Sequence, residues 1–376
     1  MRYMLLFCAL WPLLGTAQVI DQLQKVPPST ASRYELIDLG ETDVPLAQLS
    51  KYALPLSMAP QINDNRQVSC NQERQVLIKE IPYREMAPQI SRMASVCYGI
   101  NNSGDMLLAF ARSPSDIIWQ IWTQRNLRVS GRAALDLGDL LGRNVYFRQI
   151  NDLGMAVGIF KPAGSWRPIV YTKELGLHHL GYYLGWDITG IAWGVNNRGT
   201  VVGVIDELGE RIPYAWNRGW GLERLNGLKY QLECLKCRQM EGAIAFADLI
   251  IGDNDLIYGT FTIKADVDTP KDSAEEYHAF WWDPRSHEVR VLPLGGMRLN
   301  GIFADGQTLI GSLSGEAALC DIGCQPHLLS ALVSDTARGW KLLEATDSNS
   351  HGDIVGYGLS EGKCHYFMLK CCSRRG

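Results

Sequence analysis

Beyond the first seventeen residues, no stretch stays apolar for the roughly 20 residues that a membrane-spanning helix needs. No block of Lys or Arg occurs apart from Arg374-Arg375. Positive charge is not in excess: 36 Lys and Arg stand against 40 Asp and Glu, a formal net charge of −4. That balance excludes a nucleic-acid footprint. Four chemical signatures are missing: Gly-x-Ser-x-Gly, His-Glu-x-x-His, a phosphate-binding loop and a dinucleotide glycine fingerprint. No catalytic, cofactor-binding or metal-ligating residue is therefore assigned, and binding is favoured over chemistry. Long stretches of strong helix formers are absent too. With 37 Gly, 11 Trp and 15 Tyr, the composition points instead to short strands joined by tight turns.

What is present begins with an export signal. Arg2 supplies a positive start, Leu5 to Leu14 an apolar core, and Gly15-Thr16-Ala17 the small residues for a cut after Ala17. The core is too short for an anchor, so residues 1–17 are read as a signal peptide and the mature chain as free of transmembrane segments. Export leads to the periplasm, the cell surface or the medium, where disulfides form. Cys8 leaves with the signal. The disulfide candidates are then Cys70, Cys97, Cys234, Cys237, Cys320, Cys324, Cys364, Cys371 and Cys372, an odd set with one left over. Cys234/Cys237 and Cys320/Cys324 lie too far apart in sequence for a compact zinc module, so local disulfides stapling loops are the favoured use.

The dominant pattern is a repeat. Ile150-Asn151-Asp152-Leu153-Gly154 recurs at Ile100, Val195 and Ser348, and in degraded form at Ile62, Ile251 and Ile302. Asn and Asp hydrogen-bond their own backbone and Gly accepts positive φ, so each unit is a turn between two strands. A short apolar run closed by Gly follows, as in Met155-Ala156-Val157-Gly158 and Thr200-Val201-Val202-Gly203, and suits a strand buried on both faces. An aromatic or apolar anchor comes third: Trp122, Tyr171, Trp216, Trp282, Val333, Leu369. A strand ending near Leu-Gly comes fourth, as in Leu135 to Gly138, Leu177 to Gly181 and, more weakly, Trp340 to Leu343. Four strands in each of seven unequally spaced units predict an all-β β-propeller of about seven four-stranded blades, with six or eight also compatible. It spans residues 34–372, after a flexible segment at 18–33 and before a tail at 373–376. The first unit shows no clear third strand.

The order Ile-Asn-Asn-x-Gly, Val-Val-Gly, His-Ala-Phe-x-Trp, Leu-Gly resembles the extracellular HAF repeat. His278-Ala279-Phe280 is the naming triplet and His365-Tyr366-Phe367 a near match. Cys70 and Leu108 replace the closing Gly in two units. The resemblance implies a propeller-like fold and export, and carries no catalytic residue. Asp253-Asn254-Asp255 lacks the spacing of a calcium loop and is read as a turn. The two equivalent histidines, His278 and His365, are read as strand-edge groups bonding a neighbouring blade. Most aromatics recur at one register, which core packing demands. Trp166, Trp186 and Trp220 fall in or near loops and are the tentative binding residues, with glycan stacking in view. The departures from the repeat at 228–243 and 265–278 are candidate partner contacts. The expected function is a binding or scaffold surface for a protein or surface glycan at the cell envelope or outside the cell. The alternative is a glycan- or peptide-directed hydrolase or lyase at the propeller's central opening.

Overall fold

The computed structural model describes residues 34–42, 59–72, 75–80, 84–86, 95–113, 116–122, 135–136, 145–161, 165–180, 188–207, 209–236, 243–264, 277–292, 294, 296–321, 325–334 and 337–372. Their strands form seven four-stranded antiparallel sheets. Six are simple meanders in chain order. The first runs Gln61–Ile62, Gln67–Gln72, Gln75–Glu80, Arg84–Met86, and the second Ser95–Ile100, Met106–Ser113, Asp116–Trp122, Leu135–Asp136. The third runs Val145–Ile150, Ala156–Phe160, Arg167–Thr172, Gly176–His179, and the fourth Thr189–Val195, Val201–Glu207, Glu210–Asn217, Gly221–Arg224. The fifth runs Ala243–Ile251, Ile257–Lys264, Tyr277–Asp283, Glu288–Val291, and the sixth Arg298–Ile302, Thr308–Leu313, Glu316–Asp321, His327–Leu328. The seventh joins Trp340–Ser348, Ile354–Ser360 and Lys363–Cys371 to the N-terminal strand Tyr34–Glu41, which pairs antiparallel with Lys363–Cys371.

The core lies between sheets. Side chains alternate across a strand, so a strand sandwiched between two sheets is apolar throughout. In the third sheet, Ala156, Ile169 and Tyr171 pack with Leu107 of the second, while Val157 and Val170 pack with Val201 and Trp216 of the fourth. Likewise Ile354, Phe367 and Leu369 of the seventh sheet face the sixth, and Val355, Tyr366 and Met368 face Ile62 and Val68 of the first. This is a β-propeller-like arrangement, and it accounts for the apolar second strand of each repeat.

The glycine that closes that strand has a steric cause. Gly158, Gly203, Gly311 and Gly356 each pair with an inner-strand residue immediately before a β-bulge, at Phe147, Ala192, Leu299 and Ala345. The bulge drives the inner backbone onto the glycine. A Cβ on Gly203 would overlap the Ile191 carbonyl oxygen and lie 2.9 Å from the Tyr214 ring.

Several expectations are corrected. The sixth unit is short rather than extended: its third strand is Glu316–Asp321, so Cys320, paired with Leu309, holds the anchor position and Val333 does not. Trp340 to Leu343 begins the inner strand of the seventh sheet, and the sixth sheet's fourth strand is His327–Leu328. The first unit has its third strand, Gln75–Glu80. The departure at 228–243 is partly helical: Asn226–Lys236 is a helix that buries Leu228 and Leu232, one turn apart, between the fourth and fifth sheets. The 265–276 insert lies outside the described residues.

The disulfide expectation is corrected for five cysteines. Cys97, Cys320, Cys364, Cys371 and Cys372 are thiols. The first two lie in separate sheets, and Cys364 and Cys371 lie seven residues apart on one strand. Seven residues of strand span about 23 Å, against the roughly 4–7 Å between Cα atoms that a disulfide bridges. The side chains of Cys70, Cys234, Cys237 and Cys324 lie outside the described residues. Burial pushes the Cys97 and Cys364 thiols up to about 11, whereas Cys372 is exposed. Native alkylation followed by peptide mapping is expected to label Cys372 well before Cys97 and Cys364, with no reductant needed. Labelling of Cys97 or Cys364 only after reduction would contradict this assignment.

Candidate functional site

Each inner strand leads into a turn of one geometry. The first turn residue (Asn63, Asn101, Asn151, Asn196, Gly252, Phe303, Asn349) accepts, at its carbonyl, the N–H of the fourth at 2.9–3.1 Å. The fourth residue has positive φ in all seven turns. Five are Gly, and Arg66 (59°) and Asp255 (66°) complete the set. Those two accept a conformation that favours glycine, and both side chains reach another sheet. Arg66 pairs at 2.8 Å with the buried Asp353 of the last turn. Asp255 accepts from Asn196 at 3.0 Å and from Arg198 at 2.6 Å.

Asn at the first position links the sheets. Asn151 Oδ1 accepts from the N–H groups of Leu153 (3.1 Å) and Met155 (2.9 Å) in its own turn, and Nδ2 donates to the Asn196 carbonyl in the next (2.7 Å). The same donation runs from Asn63 to Asn101 O, Asn101 to Asn151 O, Asn196 to Gly252 O and, back across the termini, from Asn349 to Asn63 O. Aspartate lacks the donor and serine lacks the reach. Asn151→Ala removes three hydrogen bonds, two of them buried, and leaves the Asn196 carbonyl without this donor. A loss of about 2–3 kcal/mol in urea unfolding is expected, and a change below about 0.5 kcal/mol would refute the linking role.

The second turn residues make a further ring. Backbone N–H groups of Asp64, Asn102, Asp152 and Asn197 donate to the side-chain oxygens of Asn102, Asp152, Asn197 and Asp253 respectively, and Ser350 N–H donates to Asp64, all at 2.7–2.9 Å. Carboxylate and amide alternate, and the amides neutralise the carboxylates' demand for donors. Asn197 Nδ2 donates to both Asp152 (2.8 Å) and Asp253 (3.1 Å).

These turns and the inner-strand ends of all seven sheets enclose one cavity of about 470 Å³. On its wall, Arg148 donates to both oxygens of Asp248 at 3.2 Å, and its guanidinium lies 5.8 Å from the Trp193 ring centroid. Gln149 Oε1 accepts the Val195 N–H at 3.0 Å. At the equivalent position in the seventh sheet stands Asp347, whose carboxylate accepts from Ile62 N–H (3.0 Å) and Ser348 N–H (2.9 Å). Burial pushes the Asp347 carboxyl up to about 7. The two N–H donors pull it down by less, and nearby Asp64 pushes it further up.

The tentative binding tryptophans are not brought together. Trp166, 40% exposed, precedes the third strand of its sheet under Lys161, whose Nζ is 4.8 Å from the ring centroid. Trp220, 53% exposed, follows a third strand, at the other end of an antiparallel sheet. Trp186 lies outside the described residues. Tyr171, Trp216 and Trp282 are buried, as core packing demands. His278 and His365 make their contacts within their own sheets: His278 stacks on Phe261 at 5.3 Å, and His365 meets Asp38 at 3.0 Å. Among the described residues, no three His, Cys, Asp or Glu converge as a metal site.

Sequence reasoning missed Arg148, Asp248 and Asp347. For Asp347 a signal existed. Two residues before each turn stand Gln61, Gly99, Gln149, Gly194, Ile250, Gly301 and Asp347, so the last is the single charge at that register.

No protein-family model and no curated protein matches this sequence. Among solved structures, the chain is similar to a prolyl endopeptidase (8% identity over 95% of this chain and 54% of that one, TM-score 0.49). It is also similar to a chain of a mitotic checkpoint complex (7% identity, 91% and 96% covered, TM-score 0.48). A third likeness is to the tricorn protease (11% identity, 78% of this chain, TM-score 0.41), of which this chain spans 31%. At such identities and scores the likenesses say nothing of what this chain binds or does.

Proposed function

We propose that the seven sheets are the blades of one closed seven-bladed β-propeller, and that the chain is an exported binding protein whose ligand enters the central cavity. The observation that carries this reading is the cavity itself, to which every inner strand contributes. Hydrogen bonds and shared core between the last and first sheets support ring closure. Residues 1–17 and the likeness to the HAF repeat support export to the periplasm, cell surface or medium.

The test is capture of glycans and proteins from envelope and medium fractions by the wild type and by Gly194→Phe. Gly194 lines the cavity, and a Cβ there would lie at ordinary contact distance, 3.4 Å from both the Leu249 carbonyl oxygen and a Val202 methyl. The variant is expected to fold and to lose the captured species, and undiminished capture would move the binding site elsewhere. Mass spectrometry of exported protein is expected to find Gln18 at the N-terminus, and an intact Met1 would sink the export reading.

One observation favours hydrolase or lyase chemistry at the same opening. Asp347 keeps its proton to near neutral pH beside the Asp64 carboxylate, a pairing that can supply a general acid and a base. That reading requires turnover of a glycan or peptide by the wild type and its loss in Asp347→Ala. Wild-type inertness across both substrate classes would end it.

A further inference from the structure

We infer that the cavity wall at the third and fourth sheets binds a neutral peptide through a main-chain carbonyl, in a niche formed by Arg148, Gln149 and Gly194. The inference rests on the central-cavity reading above and adds the class of ligand.

Backbone geometry aims the niche. The register of the third sheet slips between Phe147 and Gln149, and that of the fourth between Ala192 and Gly194, so Arg148 and Trp193 are the extra residues of two β-bulges. A bulge re-aims its extra side chain out of the ordinary alternation. Both residues line the cavity. The Arg148 guanidinium lies over the Trp193 ring, and Gln149 Oε1 accepts the Val195 N–H. The two side chains thus reach the two residues that flank Gly194, and no side chain rises from Gly194 between them.

The niche has donors to spare. A guanidinium carries five N–H groups, and in Arg148 only Nη2 is engaged, 3.2 Å from each oxygen of Asp248. Nε and Nη1 have no hydrogen-bond partner among the described residues, and neither has Gln149 Nε2. These donors are within reach of a ligand: the Arg148 side chain is 30% exposed, and Gln149 is exposed. A carbonyl oxygen has two lone pairs and can accept from Arg148 and Gln149 together.

Charge and shape choose the acceptor. The cavity wall carries Asp64, Asp152, Asp248, Asp253 and Asp347 against Arg148, its one cation among the described residues, which is paired with Asp248. A ligand carboxylate would meet an excess of like charge, and a neutral carbonyl does not. A sugar needs an aromatic face on which to stack, but Trp193 is only 6% exposed beneath the guanidinium. A main-chain amide brings the carbonyl, and its N–H can donate to the surrounding carboxylates. The volume, about 470 Å³, admits a blocked dipeptide.

Calorimetric titration at pH 8 with N-acetyl-glycylglycine N-methylamide, acetate and N-acetylglucosamine tests this. Saturable millimolar binding of the blocked dipeptide and no heat from the other two is the expected result. Gln149→Glu keeps an oxygen for the Val195 N–H, as Asp347 does for Ile62 in the seventh sheet, and replaces the amide donors by a carboxylate. It is expected to weaken dipeptide binding at least tenfold with an unchanged unfolding midpoint. Arg148→Lys keeps the charge beside Asp248 but loses the planar fork, and is expected to weaken binding at least fivefold. Gln61→Glu makes the same change at the equivalent position of the first sheet, where Pro60 stands in place of Arg148, and is expected to leave the affinity within twofold. Wild-type affinity in Gln149→Glu or Arg148→Lys overturns the niche, although loss of that binding in Gly194→Phe would leave the central-cavity reading standing. An equal loss in Gln61→Glu overturns it as well, because the added charge alone would then account for the effect. Tighter binding of acetate or of the sugar overturns the ligand class. Silence from all three probes overturns the peptide assignment, while the capture experiment judges the cavity separately.

Discussion

Gly203→Ala is expected to lower the unfolding free energy by about 3 kcal/mol or more, the upper range for overpacking, because the intruded atom meets backbone. The residue pairs with Ala192 on one side and Tyr214 on the other. Its neighbour across the bulge cannot retreat, since Trp193, Val202 and Val204 pack into the shared core with the fifth sheet. A control separates this effect from glycine's conformational freedom. Gly209 has a φ of 85° and nothing within 4 Å of a built Cβ, so Gly209→Ala is expected to cost only about 1 kcal/mol, from backbone strain alone. Urea unfolding of the two variants decides. A loss in Gly203→Ala no larger than in Gly209→Ala would mean that the bulged strand yields, and that the recurring glycine answers to something other than close approach.

Asp347→Asn is expected to raise stability at pH 8 and to flatten its dependence on pH. The folded carboxyl is raised to about 7 from an ordinary value of 3.8. Between those values the folded state holds a proton that the unfolded chain has lost, so stability falls as pH rises from about 4 to about 7 and levels off above. The full shift corresponds to about 4 kcal/mol. The side chain also lines the cavity, which tempers the desolvation, so a gain of about 1–3 kcal/mol at pH 8 is expected. Asparagine keeps an acceptor for the Ile62 N–H, and Gln149 already performs that task with an amide in the third sheet. Unfolding midpoints measured from pH 4 to 8 provide the check. A variant that is less stable than the wild type at pH 8, or that keeps the same slope, would show that the carboxylate is held ionised at no cost.

Much of the architecture was legible because its causes are local. A turn that needs Asn for two bonds and a left-handed fourth residue leaves an Asn-x-x-Gly spelling that survives in four of seven units, and its Asn in a fifth. The degraded turns were recognisable at Gly252 and Phe303, but their consequences were not, because a missing amide matters only to the turn beside it. The sixth unit was misread for a similar reason. Val333 has the apolar character of an anchor, and only strand pairing shows Cys320 in that place. Arg148 and Asp248 lie 100 residues apart and meet across the intervening fourth sheet, a juxtaposition that no periodicity announces. The aromatic register gave the core correctly at Tyr171, Trp216 and Trp282, and left Trp166 and Trp220 exposed at opposite ends of their sheets.

The N-terminal strand completes the last sheet, and this imposes an order on synthesis. Tyr34–Glu41 finds its partner in Lys363–Cys371, so it emerges early from the ribosome and waits while six sheets are made. During that interval Tyr34, Leu36 and Leu39 have no native place to be buried. Their unpaired edge is open to wrong partners, the usual hazard of long-range strand pairing. A chain halted before Lys363 would lack the strand that Tyr34–Glu41 pairs with, and the seventh sheet would be left with Trp340–Ser348 and Ile354–Ser360 alone.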